Sequence, residues 1–234
     1  ASMGIYIFTW KVLREALLAT EDIPNCDFGK NVIPYIHQKD QPIYAYEFNG
    51  YWKDVGTLKS YWEANMELID IIPVFNLYEE FWKIYTKTDS LQPQYIGENA
   101  KIEHAIIGEG SEIYGVVYNS VIGSGVTVEE GAVVRDSIIM QDTVVKSGAK
   151  ITNGIVAENC IIGAGAVLGV GEFAESQFDK KVYAADLVTI GENSVIPDGV
   201  TVGLNVAISG VTEAADYPDG NLVSGGYIIK AGGK

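Results

Sequence analysis

Cysteine, histidine and basic residues are all scarce in this 234-residue chain, which has two Cys, two His and 16 Lys plus Arg against 31 Asp plus Glu, for a formal net charge of −15. Each scarcity excludes something. A chain this acidic has no basic face for nucleic acid or for an anionic membrane surface, so neither is expected as a partner. Cys26 and Cys160 stand far apart and fit no metal-ligand spacing, which suits a reduced thiol inventory and two inert packing residues rather than a disulfide framework. No apolar run approaches the length of a membrane span, and no basic segment precedes an apolar one as in a secretory leader. The sequence therefore predicts a soluble, cytoplasmic protein. With few cations to offer, an acidic chain that handles phosphate would rely on backbone N–H groups or a bound metal ion.

What the chain has in quantity is a short repeat. From Ile96 onward an aliphatic residue followed by Gly, an acidic or a small residue recurs about every six positions: IGENAK from Ile96, IEHAII from Ile102, IGEGSE from Ile107, IGSGVT from Ile122, VEEGAV from Val128, VRDSII from Val134, IGAGAV from Ile162, IGENSV from Ile190, IPDGVT from Ile196 and VGLNVA from Val202. This is the pattern of a hexapeptide β-helix, in which three hexads make one triangular coil and the aliphatic residues stack inward. Five or six coils are expected. The register slips near 113–121 and 140–151, and it breaks at 169–187, where GVGEFAESQFDKKVYAADL reads as a loop leaving one corner.

Before the repeats the pattern is mixed α/β. Gly4–Phe8 and Ile43–Phe48 read as strands, and Thr9 is placed to cap a helix from Trp10 to Leu18 with Val12, Leu13, Ala16 and Leu17 on its apolar side. In the string YWKDVGTLKSYWEANMEL at Tyr51–Leu68, Thr57 is placed to cap a second helix, with Leu58, Tyr61, Trp62, Asn65, Leu68 and Ile69 at the spacing of one face. Asp54 sits on a Gly-containing turn just ahead of it. On spacing alone such an Asp reads as a capping or solvated residue. The segment 74–93 is rich in Tyr, Phe and Trp and is expected to pack as a linker between a first domain at 1–73 and a β-helix domain at 94–234.

The Tyr51–Leu68 string closely resembles a segment of the bacterial glucose-1-phosphate adenylyltransferases (ADP-glucose pyrophosphorylases). ASMGIYIF at Ala1–Phe8 and DFGKNVIP at Asp27–Pro34 resemble that family's sugar-phosphate pocket and occur in its order. The resemblance implies a mainly β chain: a left-handed parallel β-helix preceded by the incomplete C-terminal end of an α/β nucleotidyltransferase domain. It implies that glucose 1-phosphate and ATP are converted to ADP-glucose and pyrophosphate in glycogen biosynthesis. It further implies a homotetramer, or a heterotetramer with a paralogous subunit, under allosteric control by effectors bound near the domain junction. Residue by residue, it gives Asp54 the role of a catalytic carboxylate holding Mg2+, Ser2 a hydrogen bond to the sugar phosphate, and Tyr6 and Phe28 the walls of the sugar pocket. Asp27, which without the resemblance reads as a helix-start residue, would bind sugar hydroxyls, and Trp52 would offer a flat apolar face.

The main departure is the absence of the family's Gly-rich GGxGTRL-type nucleotide loop and of the Lys that binds the sugar phosphate. The chain thus reads as the trailing half of a longer enzyme, expected not to turn over alone. Three rival readings are a non-catalytic regulatory paralogue, a pyrophosphorylase for another sugar or nucleotide, and a hexapeptide-repeat acyltransferase using His104 as general base. Retention of Ser2, Asp27 and Asp54 argues against the first.

Overall fold

The computed structural model describes residues 2–77, 79–86 and 90–230. They form two compact units, Ala1–Asp54 and Val55–Lys234.

In the first unit, α1 (Trp10–Thr20) starts after Thr9, whose carbonyl takes the amides of Val12 and Leu13 but whose side chain makes no capping bond. The helix runs two residues past the expected end. A five-residue π-helical turn at Phe28–Val32 leads into α2 (Ile33–Gln38). Ala16, Val32 and Ile36 form a small buried cluster, with Phe8, Val12, Leu13 and Tyr35 packed against it. The two expected strands, Gly4–Phe8 and Ile43–Phe48, are not formed as paired strands. The physical reason is that a strand needs a neighbour to take its N–H and C=O groups, and neither segment has one within the described residues. Ile7 is 98 % exposed and Tyr44 and Tyr46 are each 89 % exposed.

The second unit is a parallel β-solenoid. Its strands fall into a six-stranded sheet and a twelve-stranded sheet that continues around a corner. Inward side chains stack in three columns. One is Ile102, Val117, Val134, Ile151, Leu168, Val202 and Leu222. A second is Ile107, Ile122, Ile139, Val156, Ile190, Ile208 and Ile228. The third runs from Ile96 through Ile113, Val128, Val145 and Ile162 to Ile196. The longer columns are one rung deeper than the five or six coils expected, because the last strands, Asn221–Leu222 and Tyr227–Ile229, carry no readable hexad. Each fully buried aliphatic side chain contributes about 1.5–3 kcal/mol relative to exposure, and the stack is what holds the coils together.

The register slips have a regular cause. Val117, Val134, Ile151 and Leu168 repeat every 17 residues rather than the 18 of three hexads. The shortfall coincides with a corner where Asn119, Asp136 and Asn153 take left-handed backbone angles (φ 45°, 49° and 50°), as does His104 (φ 53°). Asn and Asp tolerate that region better than other side chains. The corner residues are also laddered: the Asn119 amide donates to Asp136 Oδ1 at 2.6 Å, and His104 Nδ1 lies 2.8 Å from Asn119 Oδ1.

The far end of the solenoid is closed by Tyr217, which is 2 % exposed and joins the core cluster. Its hydroxyl meets Thr212 Oγ1 at 2.8 Å, and Thr212 in turn donates to the Val195 carbonyl at 2.7 Å. An ion pair between Lys230 and Asp216 braces the same cap.

Two further expectations, on the insert and on Cys26, are corrected. The insert at 169–187 is not thrown clear: Gln177 N donates to Gly225 O, Asn205 Nδ2 donates to Ala174 O, and Phe178 packs on Tyr227 with ring centroids 5.1 Å apart. The linker aromatics Phe81, Trp82 and Tyr85 are 96 %, 83 % and 88 % exposed. Tyr78 and residues 87–89 of that segment lie outside the described residues. Of the two cysteines, Cys160 is buried as expected, its thiol pushed up by burial, but Cys26 is exposed.

Candidate active site

Three of the six residues singled out from sequence, Ser2, Tyr6 and Phe28, are linked by contact in the first unit, and Asp27 adjoins Phe28 in the chain. Ser2 Oγ lies 2.8 Å from the Tyr6 hydroxyl and accepts from Gly4 N at 3.1 Å, which folds the start of the chain into a tight turn. Tyr6 stacks on Phe28 with centroids 5.9 Å apart and planes 14° from parallel. Phe8 completes the ring cluster at 6.0 Å from both. It was missed in the sequence, although its position two residues after Tyr6 places it on the same side of an extended segment.

Asp27 is held beside Phe28 by the turn it caps. Its Oδ1 accepts from Lys30 N at 2.8 Å, and its own N–H donates to Asn31 Oδ1 at 2.9 Å. The helix-start reading of Asp27 is therefore correct. It engages one carboxylate oxygen and leaves the other for a ligand, so the two roles are compatible. Phe28 also lines a cleft of about 350 Å³ with Leu17, Leu18, Thr20, Glu21, Cys26 and Val32. Ser2 and Tyr6 do not line that cleft.

Trp52 is 44 % exposed, and Asp54 is exposed at the boundary of the first unit. The support that follows Asp54 belongs to the second unit. Thr57 caps α3 (Leu58–Glu67) in a reciprocal box: Thr57 Oγ1 accepts from Ser60 N at 3.1 Å, and Ser60 Oγ accepts from Thr57 N at 3.2 Å. Such a box satisfies two orphan amides of the first turn. The apolar face of α3 is seated on the solenoid, with Leu58, Tyr61, Trp62 and Met66 packed against Ile138, Ile155 and Leu187. Trp62 Nε1 donates to the Asp136 carbonyl at 2.8 Å.

No group of three or more His, Cys, Asp or Glu capable of holding a metal occurs among the described residues. Asp54 offers a single carboxylate. That suits Mg2+ only in the mode where one or two carboxylates and substrate phosphates complete the shell. His104, the residue on which an acyltransferase would depend, has Nδ1 committed to the Asn119 ladder and Nε2 3.9 Å from Asp70 Oδ1. No helix among the described residues is long and apolar enough to cross a membrane.

Comparison with known proteins divides the chain later than the two compact units do, after α3 rather than at Asp54. A family model described as nucleotidyl transferase matches residues 1–71, and one described as GlmU-like, C-terminal hexapeptide matches residues 91–186. The chain thus combines a segment similar to nucleotidyl transferases with a segment similar to hexapeptide solenoids. It is 71 % identical over 99 % of its length to a glucose-1-phosphate adenylyltransferase of Lachnospira eligens, 52 % identical over 98 % to that of Thermotoga maritima, and 41 % identical over 99 % to that of Acetivibrio thermocellus. These matches make the chain similar, over nearly its whole length, to part of the glucose-1-phosphate adenylyltransferases. The chain spans about half the length of the curated relatives it matches, covering 55 % of each.

Proposed function

We propose that this chain supplies the sugar-phosphate side of the active site, together with the β-solenoid, of a glucose-1-phosphate adenylyltransferase. In that reaction a phosphate oxygen of glucose 1-phosphate attacks the α-phosphorus of ATP, ADP-glucose forms and pyrophosphate leaves. Ser2 donates its hydroxyl to the sugar phosphate. Asp27 accepts from sugar hydroxyls through the carboxylate oxygen its cap leaves available, and the Tyr6–Phe28 stack gives the sugar ring a flat apolar wall. Trp52 adds a second such face.

Asp54 is the catalytic carboxylate. Mg2+, held by Asp54 and the substrate phosphates, would screen the two anions that must meet. No Gly-rich nucleotide loop occurs in the 234 residues, so the chain alone is not expected to turn over. The solenoid serves assembly, as a homotetramer or with a paralogous subunit, and allosteric control. The setting is glycogen biosynthesis in the cytoplasm.

The observation that carries this reading is the contact of Ser2 with Tyr6 and of Tyr6 with Phe28, beside Asp27, in a chain 71 % identical to a named adenylyltransferase. In a full-length adenylyltransferase containing this chain, Ser2→Ala and Asp27→Asn should each raise KM for glucose 1-phosphate about ten-fold, the worth of one hydrogen bond to a charged group. KM for ATP should not move. An unchanged KM for glucose 1-phosphate in both variants would remove the assignment.

A further inference from the structure

The 169–187 insert has contacts that the chemistry above does not use. It is pinned to the solenoid along its length. Ala174 O accepts from Asn205 Nδ2 at 2.8 Å, Gln177 N donates to Gly225 O at 2.8 Å, and Asp186 N donates to Asn205 Oδ1 at 2.8 Å. Phe178 packs between Tyr183 and Tyr227, with centroids 5.6 and 5.1 Å away. Between these anchors the chain makes one tight turn, in which Asp179 Oδ1 accepts from Lys181 N at 2.8 Å and Val182 N at 3.3 Å, and Asp179 O accepts from Tyr183 N at 2.9 Å.

That turn faces the start of α3. Lys181 and Val182 form one wall of a cleft of about 260 Å³ whose other wall is Val55, Gly56, Thr57, Leu58 and Tyr61. The end of the insert reaches the same helix from below: Leu187, 3 % exposed, sits in the cluster that seats Leu58, Tyr61, Trp62 and Met66. One loop therefore meets both the turn that begins at Val55 and the helix that this turn caps. Asp54 is bonded to Val55.

We propose that the 169–187 insert is a positioning element for the catalytic turn: Leu187 seats α3, and the Asp179–Tyr183 turn confines Val55–Thr57, the residues that directly follow Asp54 in the chain. This rests on the assignment of Asp54 made above. The residues involved touch no reacting atom and act through the turn. A displacement of about 1 Å at a reacting group can cost about a hundred-fold in rate, so a loosened turn should be visible in kcat.

The test uses Asp179→Ala, which unties an exposed turn, and Leu187→Ala, with Leu168→Ala as a core deletion elsewhere in the stack. Amide hydrogen exchange is read at Val55–Leu58 in the 234-residue chain, and kinetics are read in a full-length adenylyltransferase containing it. Asp179→Ala and Leu187→Ala should speed exchange at Val55–Leu58 about ten-fold and lower kcat about ten- to a hundred-fold, with both KM values within about two-fold. Leu187→Met should restore most of the loss. Leu168→Ala should lower the melting temperature and leave both readouts in place. Unchanged exchange at Val55–Leu58 in both variants, or the same change in Leu168→Ala, overturns the proposal. Should Asp54→Asn prove fully active while exchange still accelerates, the bracing stands and the role of Asp54 is what fails.

Discussion

The seat of α3 on the solenoid can be tested at a single atom. Trp62 Nε1 donates to the Asp136 carbonyl at 2.8 Å, and the indole belongs to the cluster around Ile138, Ile155 and Leu187. Trp62→Phe keeps an aromatic ring in that cluster and deletes the donor. The Asp136 corner cannot swing to find another, because its N–H is bonded to Tyr118 O at 3.1 Å and its carboxylate to Asn119 at 2.6 Å. The cost should therefore be that of stranding a part-buried carbonyl, about 1–3 kcal/mol. Trp62→Ala also removes the ring, and for a half-buried side chain this should add about 1–2 kcal/mol. Urea denaturation of the 234-residue chain, followed by far-UV circular dichroism, reads both. A Phe variant within about 0.3 kcal/mol of the parent, or Phe and Ala variants of equal stability, would refute the argument that the hydrogen bond anchors the helix.

Two other expectations follow from the stack and its cap. Ile151→Ala, at a fully buried rung between Val134 and Leu168, should cost about 2–5 kcal/mol in the same assay, whereas Lys150→Ala on the outer surface should stay within about 0.5 kcal/mol. At Tyr217, burial pushes the phenol from an ordinary 10.0 up to about 12. The unfolded chain then loses its proton at a lower pH than the folded one. The contribution of Tyr217 to stability should be flat below about pH 10 and fall by about 1.4 kcal/mol per pH unit toward pH 12. Tyr217→Phe should abolish this alkaline loss, and an identical pH dependence in parent and variant would contradict it.

Local signals were legible in the sequence where a residue's role is set by its near neighbours. The hexad pattern located the coils because an inward aliphatic residue is required at every face, and Thr57 marked the start of α3 because capping is a three-residue affair. The same locality made the Asp27 cap readable. What the sequence hid depends on partners far along the chain. The strands expected at Gly4–Phe8 and Ile43–Phe48 carry the right alternation, but no described neighbour completes their ladders. The 17-residue coil reads as an irregular slip until the left-handed corner at Asn119, Asp136 and Asn153 is seen to recur in every turn. The insert's return to Asn205, Gly225 and Tyr227 has no periodic signature at all. At the candidate site, the pairing of Ser2 with Tyr6 lay within one short string, whereas the stack of Tyr6 on Phe28 joins strings about twenty residues apart, and the resemblance gave each of them only as a pocket wall.

The central claim is that Asp54 is a working carboxylate of an adenylyltransferase, and pyrophosphate release tests it most directly. A full-length adenylyltransferase containing this chain, given glucose 1-phosphate, ATP and Mg2+, is compared with its Asp54→Asn variant, with folding checked by circular dichroism. The account expects an active parent and a loss of about a hundred- to a thousand-fold in kcat, the scale on which removal of a charge-stabilising group acts. A folded Asn variant that keeps its rate would contradict the claim and return Asp54 to a solvated residue at the start of a helix.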